Sequence, residues 1–316
     1  MKKIILFLGL TFCVSILSFS QDDVKKSAVT AANSAADKVS KIVIDTTNKP
    51  KSWTLKNNLT LNAEQSTFEN WEQGGVGSVS FSAFFKGFYN YSKRNVNWDN
   101  SVELSYGKMR QDNNGKGIFD SGNKFRKNED KIELNSIFGY KAFKCWNYSA
   151  LVNFKSQFDD GFKNDTILVS SFLSPAYLIT SIGLEYKPRP YLSLLISPIT
   201  GRTTFVLNKD LITEGNAFGI IPGDHFNFAF GSYVKIFFEK EVAKNVHVLS
   251  KLEFFSDYNK ESVFYRNTDI NFETFVTLKV NKYLSAFVNI QLAYNNDFNS
   301  NLQFKERFGL SIPLSF

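Results

Sequence analysis

Cysteine, histidine and methionine are scarce in this chain of 316 residues, with two of each. Cys13 lies in an N-terminal leader that reads as cleaved, which leaves Cys145 alone, and one thiol closes no intramolecular disulfide. His225 and His247 lack the close spacing of a metal-binding pair. No catalytic residue, metal ligand or cofactor site is therefore expected. Beyond residue 20 no apolar run is long enough for a membrane-spanning helix. The formal charge of +7 becomes +5 once Lys2 and Lys3 leave with the leader. That is too little for a nucleic-acid partner.

The leader has the order of an export signal. Met1-Lys2-Lys3 is basic, Ile4 to Phe19 is apolar, and Ser18-Phe19-Ser20 sets small residues before a cut ahead of Gln21. Residues 1–20 are thus expected to be a signal peptide. Residues 21–50 are Ala/Ser/Lys-rich without an aromatic, and suit a periplasmic leader or linker. Val29, Ala32, Ala36, Val39 and Val43 have the spacing of a weak amphipathic helix, with a periplasmic partner as its use.

What remains is unusually aromatic: 33 Phe and 13 Tyr, with aromatics at 16%. These residues are diluted one-for-one by polar ones, the period of a strand with two different faces. Twelve such segments follow: 53–65, 77–92, 95–110, 129–143, 146–159, 173–187, 191–207, 225–240, 245–258, 268–281, 283–296 and 301–316. In the third, Val96, Trp98, Val102, Leu104 and Tyr106 share one face and Asn97, Asp99, Ser101, Glu103 and Ser105 the other. Connections alternate between short ("SKRN", "KCW", "PRP") and long polar loops. Short-long alternation, an even strand count and aromatics near both strand ends predict an all-β, up-and-down antiparallel barrel over 51–316, in an outer membrane. Both termini are then periplasmic, and outer-membrane lipid, lipopolysaccharide and the barrel-assembly machinery are the expected partners. A secreted β-sandwich also alternates, but does not need twelve long strands of uniform phase.

Parity assigns the lumen. Asp99, Glu103, Lys131, Glu133, Lys141, Lys155, Glu185, Lys187, Lys235, Glu239, Lys251, Glu253, Asp269, Glu273, Lys279, Lys305 and Arg307 point inward. So do Phe84, Phe88, Ile137, Leu151, Phe237, Phe255, Phe275 and Phe287. Twelve strands lie between packed eight-stranded barrels and open sixteen-stranded ones. A narrow polar pore, a ligand pocket and a filled barrel are all compatible. The leading expectation is passage or binding of small solutes. The rivals are an accessory subunit with a filled lumen and a barrel-borne hydrolase, the latter disfavoured because no acid-base-nucleophile set is present.

Two stretches resemble ligand loops and fail on context. "EQGGVGS" (72–78) opens a strand, not the helix a phosphate loop needs. In "DNNGKGIFDSGNKFRKNED" (112–130), Lys116 stands where a calcium loop needs an oxygen ligand, so a solvated loop is expected. The chain's last stretch, "FKERFGLSIPLSF", sets Phe308, Leu310, Ile312, Leu314 and Phe316 on one face, which suits a closing strand carrying an assembly signal.

Three stretches together, "NWEQGGVGSVSFS" (70–82), "NWDNSVELSYGKMR" (97–110) and "KNEDKIELNSIFGYK" (127–141), resemble an uncharacterised outer-membrane barrel family common in Bacteroidetes. The resemblance implies location and fold, and no catalytic residue.

Overall fold

The structure is a computed structural model describing residues 52–66, 76–163, 166–211, 217–221, 224–260, 268–295 and 299–315. The expected signal peptide, the 21–50 segment, most of "EQGGVGS" and Phe316 lie outside them. Fourteen strands form in chain order: β1 (Trp53–Ser66), β2 (Ser78–Lys93), β3 (Val96–Gln111), β4 (Phe125–Phe143), β5 (Trp146–Ser156), β6 (Gly161–Lys163), β7 (Ile167–Ser170), β8 (Ala176–Arg189), β9 (Leu192–Phe205), β10 (Phe226–Ala243), β11 (Val246–Asp257), β12 (Thr268–Lys279), β13 (Ser285–Asn295) and β14 (Asn299–Ser315).

Twelve of them close into one antiparallel barrel in which each strand pairs its sequence neighbours. The ring shuts where β1 meets β14, with Ala63 opposite Leu310 and Asn58 opposite Ser315. Closure leaves no sheet edge, which a backbone in hydrocarbon requires. All twelve expected segments are strands. The difference lies in the 157–175 connection, where β6 and β7 form a separate two-stranded sheet. Strands this short carry too few residues to show a period.

Outside, the surface is apolar. Phe81, Leu134, Phe138, Val152, Ile182, Phe228, Phe304, Phe308, Leu310, Ile312 and Leu314 are all exposed. A water-soluble monomer does not present such a belt, and a bilayer needs one; the barrel spans a membrane. Aromatic clusters bound the belt. At the short-turn end Trp53 lies 5.2 Å from Tyr91 and 5.8 Å from Trp98, and Trp146 lies 4.9 Å from Tyr186. At the long-loop end Tyr106 meets Phe158 and Phe230 meets Tyr258. Tyr294 lines a lumen cavity beside the register shift at Ala293/Asn295.

Two glycines permit close backbone approach at register shifts. A Cβ on Gly183 would sit 2.1 Å from the Ile196 carbonyl oxygen, and one on Gly231 2.0 Å from that of Ser256. Gly231→Ala is expected to cost about 1–3 kcal/mol by forcing the ladder apart. A urea midpoint for folding into phospholipid vesicles that stayed at the wild-type value would show the shift to be pliable.

The long loops carry local structure. Val206, Leu211 and Ile220 form a small core with Leu168 and Phe218, joining the loop sheet to the β9–β10 connection. In the 112–123 loop, the Asn123 amide nitrogen donates to Asp112 Oδ1, Asn114 Oδ1 and the Gly117 carbonyl. A neutral side chain thus takes the centre of the oxygen cluster. Of the loop expected over 112–130, residues 125–130 belong instead to β4. The Gly122 N–H, and then the Asn114 amide, hold the Asp120 carboxyl below its usual range. That contact is complete above about pH 4 and is lost as pH falls through the depressed value.

Candidate functional site

The lumen is crossed at mid-height by a belt of lysines and glutamates. Of the expected inward charges, Asp99, Glu103, Lys131, Glu133, Lys155, Glu185, Lys187, Lys235, Glu239, Lys251, Glu253, Asp269, Glu273, Lys305 and Arg307 are brought into ion pairs, since alternate residues of a strand share a face. Four glutamates (Glu103, Glu133, Glu253, Glu273) meet five lysines (Lys86, Lys131, Lys155, Lys235, Lys251). Glu133 is the hub, 2.8 Å from Lys131, 3.3 Å from Lys251 and 3.8 Å from Lys155. It also accepts from the Asn153 amide. Glu253 joins Lys155, Lys235 at 3.3 Å and the Tyr233 hydroxyl at 2.8 Å.

The pairing pattern shows that the belt spans the lumen. Lys131 on β4 reaches Glu273 on β12 at 2.9 Å, and Lys251 on β11 reaches Glu103 on β3 at 2.5 Å. In barrel order each pair is six positions apart around a ring of twelve. Long side chains from opposite walls therefore meet across the lumen at that level. The ions are desolvated but densely paired, the condition under which buried charge is tolerated.

Secondary contacts extend the belt both ways. Toward the short turns, Asp99 pairs with Lys187, which lies 3.1 Å from Glu185, and Glu239 joins Lys56 and His247. Toward the long loops, Asp269 pairs with Arg202, and Glu129 takes Lys305 at 2.7 Å and Arg307 at 3.1 Å. Two apolar clusters fill the walls. One is Ile137, Leu151, Ile179, Leu195, Ala229, Tyr233 and Phe255. The other is Phe84, Phe275 and Phe287, with Arg307 4.6 Å from the Phe84 ring. Lys141 and Lys279, also expected inward, stand exposed beside the short turns and outside the belt.

Cavities remain on both sides. On the short-turn side one of about 470 Å³ reaches the belt at Glu103, Glu133, Lys235 and Lys251. A second, of about 290 Å³, runs from Lys56, Glu239 and His247 past Glu103, Lys131 and Glu273 to Glu129. Toward the long loops, one of about 350 Å³ is lined by Arg202, Phe218, Asp269 and Glu253. Glu103, Glu133 and Glu273 carry oxygens within 4.8 Å of one another, but Lys131 is bonded to all three. An ammonium thus supplies the positive charge at their centre. His225 bonds the Val206 carbonyl, far in sequence from the His247–Glu239 pair.

Residues 63–162 match the model of DUF3078, a protein family of unknown function. All three quoted stretches fall within that match, so the resemblance read from the sequence is borne out there. Solved barrels are similar in fold. An outer membrane channel from Pseudomonas putida F1 aligns over 86% of this chain and 98% of its own, at 8% identity and TM-score 0.38. The translocator domain of the autotransporter NalP from Neisseria meningitidis covers 91% of this chain and 97% of its own (8%, TM-score 0.36). Outer membrane phospholipase A from Escherichia coli covers 82% and 95% (10%, TM-score 0.36). No curated protein matches the sequence.

Proposed function

We propose that the protein is an outer-membrane barrel that takes up small polar solutes in its lumen and passes them only when the ionic belt parts. The observation carrying this reading is the position of the belt between cavities on opposite sides. A rigid wall has no need of cavities on either side of its seal. Both termini then face the periplasm, and the barrel contacts lipid and lipopolysaccharide after delivery by the barrel-assembly machinery. Phe308, Leu310, Ile312, Leu314 and Phe316 supply the closing strand's signal. Residues 21–50 are free to meet a periplasmic partner, and the protein is not an enzyme.

The second reading, an accessory subunit with a filled lumen, is favoured by the dense pairing of the belt. Solute release from proteoliposomes separates the two. Slow efflux of a small sugar from wild-type vesicles, accelerated when Lys131 and Lys251 are both replaced by methionine, supports regulated passage. Equal retention by both proteins supports the filled wall.

A further inference from the structure

The larger short-turn-side cavity contains an imbalance that the belt does not. Glu185, on β8, lines it and is only 1% exposed. Among the described residues its one ion-pair partner is Lys187, whose ammonium is shared with Asp99. Two carboxylates thus divide one cation, and Glu185 Oε2 receives no hydrogen bond. A buried carboxylate oxygen without a donor is costly. The cations at the cavity's inner end are committed elsewhere: Lys235 to Glu253, and Lys251 to Glu103 and Glu133. An incoming anion finds no free positive charge there. An incoming cation finds one net negative charge, beside the apolar walls of Phe88, Ile137, Leu195 and Phe237.

We propose that this cavity binds a small organic cation, its ammonium donating to Glu185 and its apolar body resting against Phe88, Ile137, Leu195 and Phe237. The inference rests on the reading that the lumen admits small solutes, and names their class. The volume, about 470 Å³, is within the range of small-molecule sites. Entry is from the short-turn side, where Asn90, Ser92 and Pro190 line the cavity's outer end.

Three probes of one shape test it: phenethylammonium, phenethyl alcohol and 3-phenylpropionate, titrated calorimetrically into the full chain in detergent micelles. The cation is expected to bind saturably, about ten-fold or more tighter than the alcohol, with the carboxylate weakest. Glu185→Gln should bring the cation to the alcohol's level while heat-modifiable mobility on gels stays that of wild type. Equal binding of cation and alcohol, a preference for the carboxylate, no saturable binding, or an affinity untouched by Glu185→Gln would each overturn the proposal. The wild-type ranking of the three probes stands whether or not the variant folds. Because binding is read without transport, a failure of efflux leaves this result intact, and the reverse holds too.

Discussion

Glu133→Leu is expected to lower the stability of the barrel by about 3–5 kcal/mol, the scale of removing one partner from a buried ion network. Glu133 meets three lysines and an amide, so its loss leaves five belt lysines facing three glutamates. Leucine fills the space but offers no acceptor, and the stranded ammonium groups repel one another. The measurement is the temperature at which the folded, fast-migrating gel band gives way to the unfolded one. A second substitution, Lys251→Met, removes one of the orphaned charges and should restore part of the loss. Two losses that simply add would mean that the residues do not interact. Glu133→Gln keeps shape and one acceptor and should fall between wild type and leucine.

The second large effect is on the outer face. Leu134 neighbours Glu133 on β4 but points the opposite way and is exposed. It lies mid-strand, opposite Val102 and Phe154, where the bilayer is driest. Leu134→Arg is expected to cost about 2–4 kcal/mol, as an arginine at the membrane midplane does. Tyr140 shares that face nearer the short turn, and Tyr140→Arg should cost only about 0–1 kcal/mol, the side chain reaching the interface. Urea-dependent folding into phospholipid vesicles reads both. Equal and small effects at the two positions would mean that this surface does not meet lipid.

Much of this was legible in the sequence because a strand's period of two writes its two faces directly into the chain. Glu133 and Leu134 are adjacent letters with opposite environments, and parity alone separates them. Arg202 escaped for the same reason. The inward face of β9 runs through Leu195 and Ser197, then through Thr200, Arg202 and Thr204, because one extra residue near Pro198 and Ile199 flips the phase. A bulge of this kind carries no fixed sequence mark. Lys56, Lys86, Glu129 and Tyr233 did lie at inward parity, Lys86 between Phe84 and Phe88, and that signal could have found them. The belt itself was not legible. Its diagnostic pairs join strands far apart in the chain, Lys131 with Glu273 and Lys251 with Glu103, and parity says nothing about which walls meet. Pairing across the lumen is a property of the ring, not of any strand.

Planar-bilayer recording of the refolded full chain tests most directly the proposal that the belt seals the lumen. A lumen sealed by the belt gives no sustained open-pore current from the wild type at low voltage, and stepwise currents once Lys131 and Lys251 are replaced by methionine. Steady, ohmic single-channel steps from the wild type would contradict it.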